Sequence, residues 1–275
     1  MADTVRQAIA AAATRLDFSE TPRLDAELLM AHALGVPREQ LLLRHLDDPA
    51  PAAFAELVER RVAHEPVAYI TGTRAFWTID LAVGPGVLIP RPDSETLIEA
   101  AIEFFGERSP SKILDLGTGS GALLFAALTQ WPRSQGWGVD SSGEALAYAH
   151  RNLKALGLKG RGHLSLQGWL GAQEGGRRYD LILCNPPYIA TGTQLPREVI
   201  EHEPAQALFA GEDGLDDYRM LAPLLPSALS DNGVACIEIG WDQGTSAAKY
   251  FRDAGLDVAA RRDLAGRDRC LVVTS

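Results

Sequence analysis

The sequence predicts an α/β chain in which a doubly wound, mostly parallel sheet follows a small helical bundle and a β-hairpin connector. Three observations carry this reading. Residues 1 to about 65 show helical periodicity only, residues 66–92 switch to alternation with period two, and from residue 93 short apolar strands alternate with amphipathic helices.

The elements follow in order. Thr21-Pro22 offers an N-cap with Pro at the first helical position; Leu24, Leu28, Ala31 and Leu34 then recur at helical spacing until Gly35 stops the pattern. Pro37 opens a short helix through residues 41–43, and Phe54, Leu57, Val58 and Val62 mark another after Pro51. Next, Trp77, Ile79, Leu81 and Val83 alternate with Thr78, Asp80 and Ala82, between turn residues at Gly72-Thr73 and Gly84-Pro85-Gly86. The expected division is a helical domain with the start of the hairpin, residues 1–80, and a sheet domain, residues 81–275.

Within the sheet domain, residues 113–116 form a buried strand, 122–128 a helix, and 136–139 a second strand ending in Asp140. Ser141 and Glu144 have the spacing of a capping box, Leu146, Ala149, Leu153 and Leu156 hold one helical face, and Gly157 supplies the C-terminal stop. Residues 164–166, 181–184 and 234–239 give three more strands, and 256–260 with 270–274 close the chain. Pro223 and Pro226 should kink or break the helix before the fifth strand.

Composition narrows the function. At 46% hydrophobic and 23% charged residues, a folded core is expected rather than disorder. Asp and Glu total 36 against 26 Lys and Arg, for a net charge of -10, and acidic residues outnumber basic ones on both sides of residue 90. Neither part is therefore a basic module of the kind that neutralises nucleic-acid phosphates. Cys184, Cys236 and Cys270 are odd in number and form no CxxC, and the histidines show no ligand spacing, so neither a disulfide scaffold nor a metal is expected. The acidic start Met1-Ala2-Asp3-Thr4 is unlike a secretory leader, and no apolar run approaches the roughly 18 residues that span a bilayer. A cytoplasmic protein without membrane contact is expected.

The first chemical signal is Asp115-Leu116-Gly117-Thr118-Gly119-Ser120-Gly121, where a strand ends and a helix begins. Glycines there allow a tight turn and let a ligand lie against the backbone at a helix N-terminus. Asp140, at the end of the next strand, stands where a carboxylate takes ribose hydroxyls, which suits NAD and S-adenosylmethionine equally. The second signal is Asn185-Pro186-Pro187-Tyr188, directly after the fourth strand. Two prolines fix the backbone and donate no N–H, so the corner presents acceptors: the Asn185 side-chain oxygen and the Pro186 carbonyl. Such a pair can hold both hydrogens of a planar NH2 group and stabilise the positive charge that develops as its nitrogen attacks a methyl group. Tyr188 offers an aromatic wall for a planar group.

The order DLGTGSG, GVD, NPPY resembles class I S-adenosylmethionine-dependent methyltransferases, which have a Rossmann-like sheet. More narrowly, the chain resembles the HemK/PrmC family of protein-(glutamine-N5) methyltransferases. That resemblance also rests on Leu24-Asp25-Ala26-Glu27-Leu28-Leu29, Tyr69-Ile70-Thr71-Gly72, Ile89-Pro90-Arg91-Pro92-Asp93-Ser94-Glu95, Glu203-Pro204, Asp213-Gly214-Leu215 and Asp263-Leu264-Ala265-Gly266-Arg267-Asp268. It implies S-adenosylmethionine as cofactor, cradled by Gly117, Thr118, Gly119, Ser120 and Gly121, with Asp140 on the ribose, Trp169 by the adenine and Asn185 at the methyl-transfer end. It further implies that Asn185 and Pro186 hold the acceptor amide, with Pro187 and Tyr188 completing its pocket. The implied acceptor is the glutamine of the Gly-Gly-Gln motif in class-1 peptide chain release factors, gripped with the help of the helical domain by an enzyme expected to be a monomer. Gly168 departs from the family, where an acidic residue before Trp169 can take the adenine amine, so that contact is absent or supplied elsewhere. Arg91, Asp93 and Glu95 are lesser candidates for the pocket, although a helix cap by Asp93 or Ser94 also explains the segment. An adenine-amino nucleic-acid methyltransferase shares NPPY, but the acidic charge and the helical front end favour an amide in a protein; a non-catalytic binding module is disfavoured by the intact NPPY.

Overall fold

The computed structural model describes residues 3–275, except for the side chains of 172–174, so Met1-Ala2 at the acidic start lie outside the described residues. In chain order the helices and strands are α1 (Val5–Arg15), α2 (Pro22–Leu34), α3 (Arg38–Arg44), α4 (Ala53–Val62), α5 (Val67–Thr71), β1 (Thr73–Phe76), β2 (Ile79–Ala82), α6 (Glu95–Phe105), β3 (Lys112–Leu116), α7 (Ala122–Gln130), β4 (Gln135–Asp140) and α8 (Gly143–Ala155). They continue with β5 (Gly162–Leu166), β6 (Tyr179–Cys184), α9 (Arg197–His202), α10 (Asp216–Leu221), α11 (Leu225–Ala228), β7 (Leu229–Glu238), α12 (Gly244–Asp253), β8 (Asp257–Arg262) and β9 (Asp268–Thr274). Two compact units result: Met1–Thr73 with Leu195–His202, and Arg74–Gln194 with Glu203–Ser275. The hairpin thus groups with the sheet, and α9 groups with the helical unit. Among the described residues no helix is long and apolar enough to cross a membrane.

The helical unit packs α1–α5 around Val5, Leu16, Leu29, Met30, Leu41 and Phe54. α1 starts on a capping box: Gln7 N–H donates to Thr4 Oγ1 at 3.3 Å, and Thr4 N–H donates to Gln7 Oε1 at 2.9 Å. At α2 Thr21 is the N-cap residue with Pro22 at the first helical position, as expected, but its side chain makes no cap hydrogen bond. The Thr21 hydroxyl donates instead to Asp25 Oδ1 at 3.2 Å, because Asp25 is buried and gathers donors. Asp25 also accepts from Ser19 Oγ at 2.9 Å and from Arg61 Nε at 2.8 Å. Arg61 is itself buried, its other arm reaching Glu198 Oε2 at 2.6 Å and its guanidinium lying 5.0 Å from the Phe18 ring centroid. One cation therefore ties α4, the start of α2 and α9 within this unit.

The sheet unit carries seven strands in the order β5-β4-β3-β6-β7-β9-β8. β3 to β7 pair in parallel, and β9 runs antiparallel to both β7 and β8. Side chains alternate between two cores: Ile113, Leu181, Leu183 and Val234 face one side, and Leu114, Leu116, Ile182 and Ala235 face the other. The helix before β7 is broken into α10 and α11, as Pro223 and Pro226 require.

Two local expectations are corrected. Trp77 is not a strand residue; it sits in the β1–β2 turn at φ 55°, its N–H donated to Glu95 Oε1 at 2.8 Å. The cap of α8 is Ser142, not Ser141: Ser142 Oγ accepts from Ala145 N–H at 3.1 Å, and the Ser142 N–H is taken by Asp140 Oδ1 at 2.8 Å. Buried Asn152 of α8 ties the hairpin to the glycine loop: its Oδ1 accepts from Ala82 N–H at 2.7 Å, and its Nδ2 donates to the carbonyls of Ala82 and Ser120 at 3.0 and 2.9 Å.

Replacing Arg61 by Met leaves Asp25 buried without its cation. Denaturant unfolding of that variant should show a loss of about 3 kcal/mol in the helical unit. A loss well under about 1 kcal/mol would mean that the pair is not a linchpin of the unit.

Candidate active site

The site is made by register. Leu116 of β3 pairs with Val139 of β4 on one side and Cys184 of β6 on the other. Gly117, Asp140 and Asn185, each the next residue, therefore leave the sheet at one level on its carboxyl edge, where open α/β sheets bind ligands.

The glycine loop turns back on this edge. Gly117 and Thr118 N–H groups both donate to the Val139 carbonyl at 2.9 Å, and Gly119 N–H donates to Asp140 Oδ2 at 2.8 Å. Gly117, at φ 71°, lies under the Trp169 indole, which a Cβ there would meet at 3.2 Å. Gly121, at φ 88°, is fixed by packing, since a Cβ would stand 2.0 Å from the Phe125 ring.

A cavity of about 350 Å³ opens over the loop. Its wall includes Gly117, Thr118, Gly119, Ser120, Asp140, Trp169, Asn185 and Pro187 from the expected set. Gly121, Pro186 and Tyr188 are not on the wall. Tyr188 is instead turned away, its hydroxyl donating to Glu238 Oε1 at 3.2 Å and its ring packed against the core under the sheet. The expected aromatic wall at the amide pocket is therefore not Tyr188, because the buried Glu238 carboxylate captures its hydroxyl. Trp169 is held by its Nε1–H donating to Asp217 Oδ1 at 2.8 Å, and Asp217 itself lines the cavity beside Gln167 and Gly168.

The Arg91-to-Glu95 segment also divides differently from expectation. Arg91 pairs with Glu203 at 2.5 Å, Asp93 with Arg269 at 3.1 Å, and Glu95 holds Trp77, so none of the three lines the cavity. Glu203 is buried and also accepts from Ile89 N–H at 3.1 Å, which makes it an internal latch for the 89–91 stretch rather than a solvated loop residue. Ser94 makes no side-chain cap to α6. It lines the cavity and accepts from Asn185 Nδ2 at 3.1 Å.

Three residues have no role assigned by the sequence, Asp115, Asp217 and Glu238, and Ser94 has only that of a cap. Asp115 stands within the glycine motif, but its chemistry is visible only in place. It is buried on the cavity wall, its Oδ2 accepting from the Thr118 hydroxyl at 2.6 Å and from Leu124 N–H at 3.3 Å, while its Oδ1 has no partner. Burial pushes its pKa up to about 7, against the opposing hydrogen bonds from Thr118 and Leu124. Asp217 is raised as well, chiefly by burial. Carboxylates of Asp115, Asp140 and Asp217 on one cavity wall favour a ligand that carries positive charge. Cys184, Cys236 and Cys270 are free and buried, and no metal-binding group of side chains occurs among the described residues.

Comparison with known proteins places the sequence in a family. The family described as PrmC N-terminal domain matches residues 7–72, and that described as methyltransferase small domain matches residues 94–210. The release factor glutamine methyltransferase of Xylella fastidiosa strain Temecula1 is 42% identical over 272 residues, which cover 96% of this chain and 95% of that protein. The protein of the same name from Rhodospirillum rubrum is 41% identical over 259 residues, 92% of this chain and 79% of that protein. Among solved structures, a T. thermophilus 16S rRNA methyltransferase in complex with AdoMet and guanosine superimposes with a TM-score of 0.52 over 74% of this chain and 50% of that one, at 18% identity, a likeness of fold alone. With identity near two residues in five along almost its whole length, the chain belongs to the release factor glutamine methyltransferase family.

Proposed function

We propose that this chain transfers a methyl group from S-adenosylmethionine to the side-chain amide nitrogen of the glutamine in the Gly-Gly-Gln motif of class-1 peptide chain release factors, giving N5-methylglutamine. The observation that supports this most is the position of Asn185: it lines the same cavity as the glycine loop and Asp140.

The residues present fit the cofactor. Gly117 and Gly119, with no side chain on the cavity wall, leave room for its methionine part against the loop backbone, and each Asp140 oxygen keeps a lone pair for a ribose hydroxyl beyond the one N–H it accepts. Trp169, fixed by Asp217, offers an apolar face for the adenine, and the acceptors of Gln167 and Asp217 on the same wall compensate for Gly168. The unpartnered Asp115 Oδ1 suits a cationic group. When bound, S-adenosylmethionine supplies an electrophilic methyl group on a sulfonium sulfur.

The chain's own residues would then do three things. Asn185 Oδ1, on the cavity wall, accepts one amide hydrogen; the Pro186 carbonyl, whose residue does not line the cavity in this structure, is the second acceptor we assign, and together they turn the nitrogen toward the methyl group. The same acceptors stabilise the positive charge that grows on nitrogen in the transition state, a term worth orders of magnitude in rate when it is pre-positioned. No residue need remove a proton beforehand, since the nitrogen becomes acidic only once alkylated. The acidic charge of -10 supports a protein partner over nucleic acid.

The test is to incubate the protein with methyl-labelled S-adenosylmethionine and either a class-1 release factor or nucleic acid, and to map the label. Label on the motif glutamine is expected; label on nucleic acid with an unmodified release factor would overturn the assignment. Asn185→Ala should lower kcat on the order of 10²-fold with cofactor affinity nearly unchanged, and wild-type turnover in that variant would mean that Asn185 does not hold the acceptor amide. Because Asp115 titrates near 7, protons compete with a cationic ligand below that value. The cofactor Kd should therefore weaken as pH falls below about 7, by at most about tenfold per unit, and Asp115→Asn should flatten that dependence. An equal slope in the variant would exclude Asp115 as the responsive group.

A further inference from the structure

Pro186 and Pro187 have no N–H, so over these two residues the main chain of the acceptor corner has no donor of its own to hold it in place. The corner is held at its exit instead. The Tyr188 carbonyl accepts from Gln243 Nε2 at 2.9 Å, and the Tyr188 hydroxyl donates to Glu238 Oε1 at 3.2 Å. Just beyond, Ile189 N–H donates to the Leu208 carbonyl and the Ile189 carbonyl accepts from Ala210 N–H, both at 2.9 Å.

Gln243 stands half-buried immediately before α12 and joins this exit to three other places. Its Nε2 also donates to the Gly214 carbonyl at 3.2 Å, and its Oε1 accepts from Gly240 N–H at 3.0 Å. The Tyr218 hydroxyl lies 3.2 Å from the same Oε1 and 3.0 Å from the Glu238 carbonyl, with one proton for the two. Only one orientation of the amide satisfies these partners. Its nitrogen faces two carbonyls and its oxygen faces a backbone N–H, so exchanging the ends would set donor against donor and acceptor against acceptor. Close packing seals the contact. Gly214 has φ 72°, and a Cβ there would stand 2.4 Å from the Tyr188 carbonyl oxygen and 2.9 Å from Gln243 Nε2. The Asp213-Gly214-Leu215 motif thus brings the entry of α10 against the exit of NPPY, and α10 carries Asp217, which holds Trp169 at 2.8 Å.

We infer that Gln243 is the positioning residue that sets the acceptor corner against the entry of α10, and so fixes the Pro186 carbonyl relative to the wall that carries Trp169. This rests on the function proposed above and deepens it. Gln243 does not line the cavity, so it acts only through the main chain it holds, two residues after Pro186. Direct methyl transfer needs the acceptor nitrogen in line with the bond from sulfur to methyl, and a misplacement of about 1 Å in such a geometry costs on the order of 10²-fold in rate.

The experiment uses the full chain, with the label assay on a release factor run first. No transfer by the wild type refutes the function itself and with it this inference. Given transfer, kcat, KM for the release factor and cofactor Kd are measured for Gln243→Glu, with active sites counted by stoichiometric cofactor binding. That variant keeps the size of the side chain and its acceptor toward Gly240, but sets an oxygen against the Tyr188 and Gly214 carbonyls. It should lower kcat on the order of 10- to 10²-fold, with KM and cofactor Kd nearly unchanged because Asp217 still holds Trp169. The loss should also add little to that of Asn185→Ala, since the two residues place one corner. A glutamine that serves stability alone would lower the unfolding midpoint and leave kcat per active site at the wild-type value, and that result overturns the inference. So does a loss that adds fully to that of Asn185→Ala. If Gln243→Glu does not fold, Gln243→Met, which brings no charge to the position, takes its place, and wild-type kcat per active site in it overturns the inference equally.

Discussion

The site depends on one constraint, the shared register of β4, β3 and β6. Val139, Leu116 and Cys184 lie abreast, so the glycine loop, the ribose-side carboxylate and the NPPY corner emerge side by side although Gly117 and Asn185 are far apart in the chain. A slip of one residue in either pairing would turn every side chain of a strand to the opposite face. The two apolar cores on either side of the sheet resist such a slip, because Ile113, Leu181 and Leu183 belong to one core and Leu114, Leu116 and Ile182 to the other. Packing far from the cavity thus sets the distance between cofactor loop and acceptor corner.

The same sheet carries two buried carboxylates that a core built for stability alone would not hold. Asp115 and Glu238 each leave one oxygen without a partner, and burial raises each to about 7. A folded pKa above the unfolded value means that the contribution to stability is fully present below the unfolded carboxylate range, near about 4, and is lost as pH rises through about 7. The charged forms are therefore the less stable ones. Ligand binding offsets part of this at Asp115, while at Glu238 the Tyr188 and Ser94 hydroxyls and the Arg269 charge hold the ionised form within reach. Arg269 is in turn held by Asp93 and Asp263, so the network behind the corner spans β7, β9 and the turn before α6.

Much of this was legible in the sequence because the decisive motifs are local. The glycine run, Asp140 and NPPY each follow a strand directly, and strand ends can be read from short apolar runs. What the sequence did not disclose comes from contacts between distant segments. Ser94 meets Asn185 across 91 positions, Tyr188 meets Glu238 across 50, and Trp169 meets Asp217 across 48. No spacing rule marks such pairs. The local differences have the same origin: Trp77 leaves the strand pattern because Glu95 takes its N–H, Thr21 keeps the cap position without its cap bond because Asp25 takes its hydroxyl, and the cap passes from Ser141 to Ser142 because Asp140 fixes the Ser142 N–H. In each case a carboxylate supplied by the fold outweighed a local propensity of about a kcal/mol.

The proposed methyl transfer stands on the orientation of a single amide, and the direct measurement is a crystal structure of the chain with a cofactor analogue and a peptide carrying the Gly-Gly-Gln motif. The glutamine nitrogen should lie within about 3 Å of both Asn185 Oδ1 and the Pro186 carbonyl, with Asn185 Nδ2 still on Ser94. A glutamine nitrogen held by other groups, with Asn185 turned so that its NH2 faces the peptide, would contradict that orientation and the chemistry built on it.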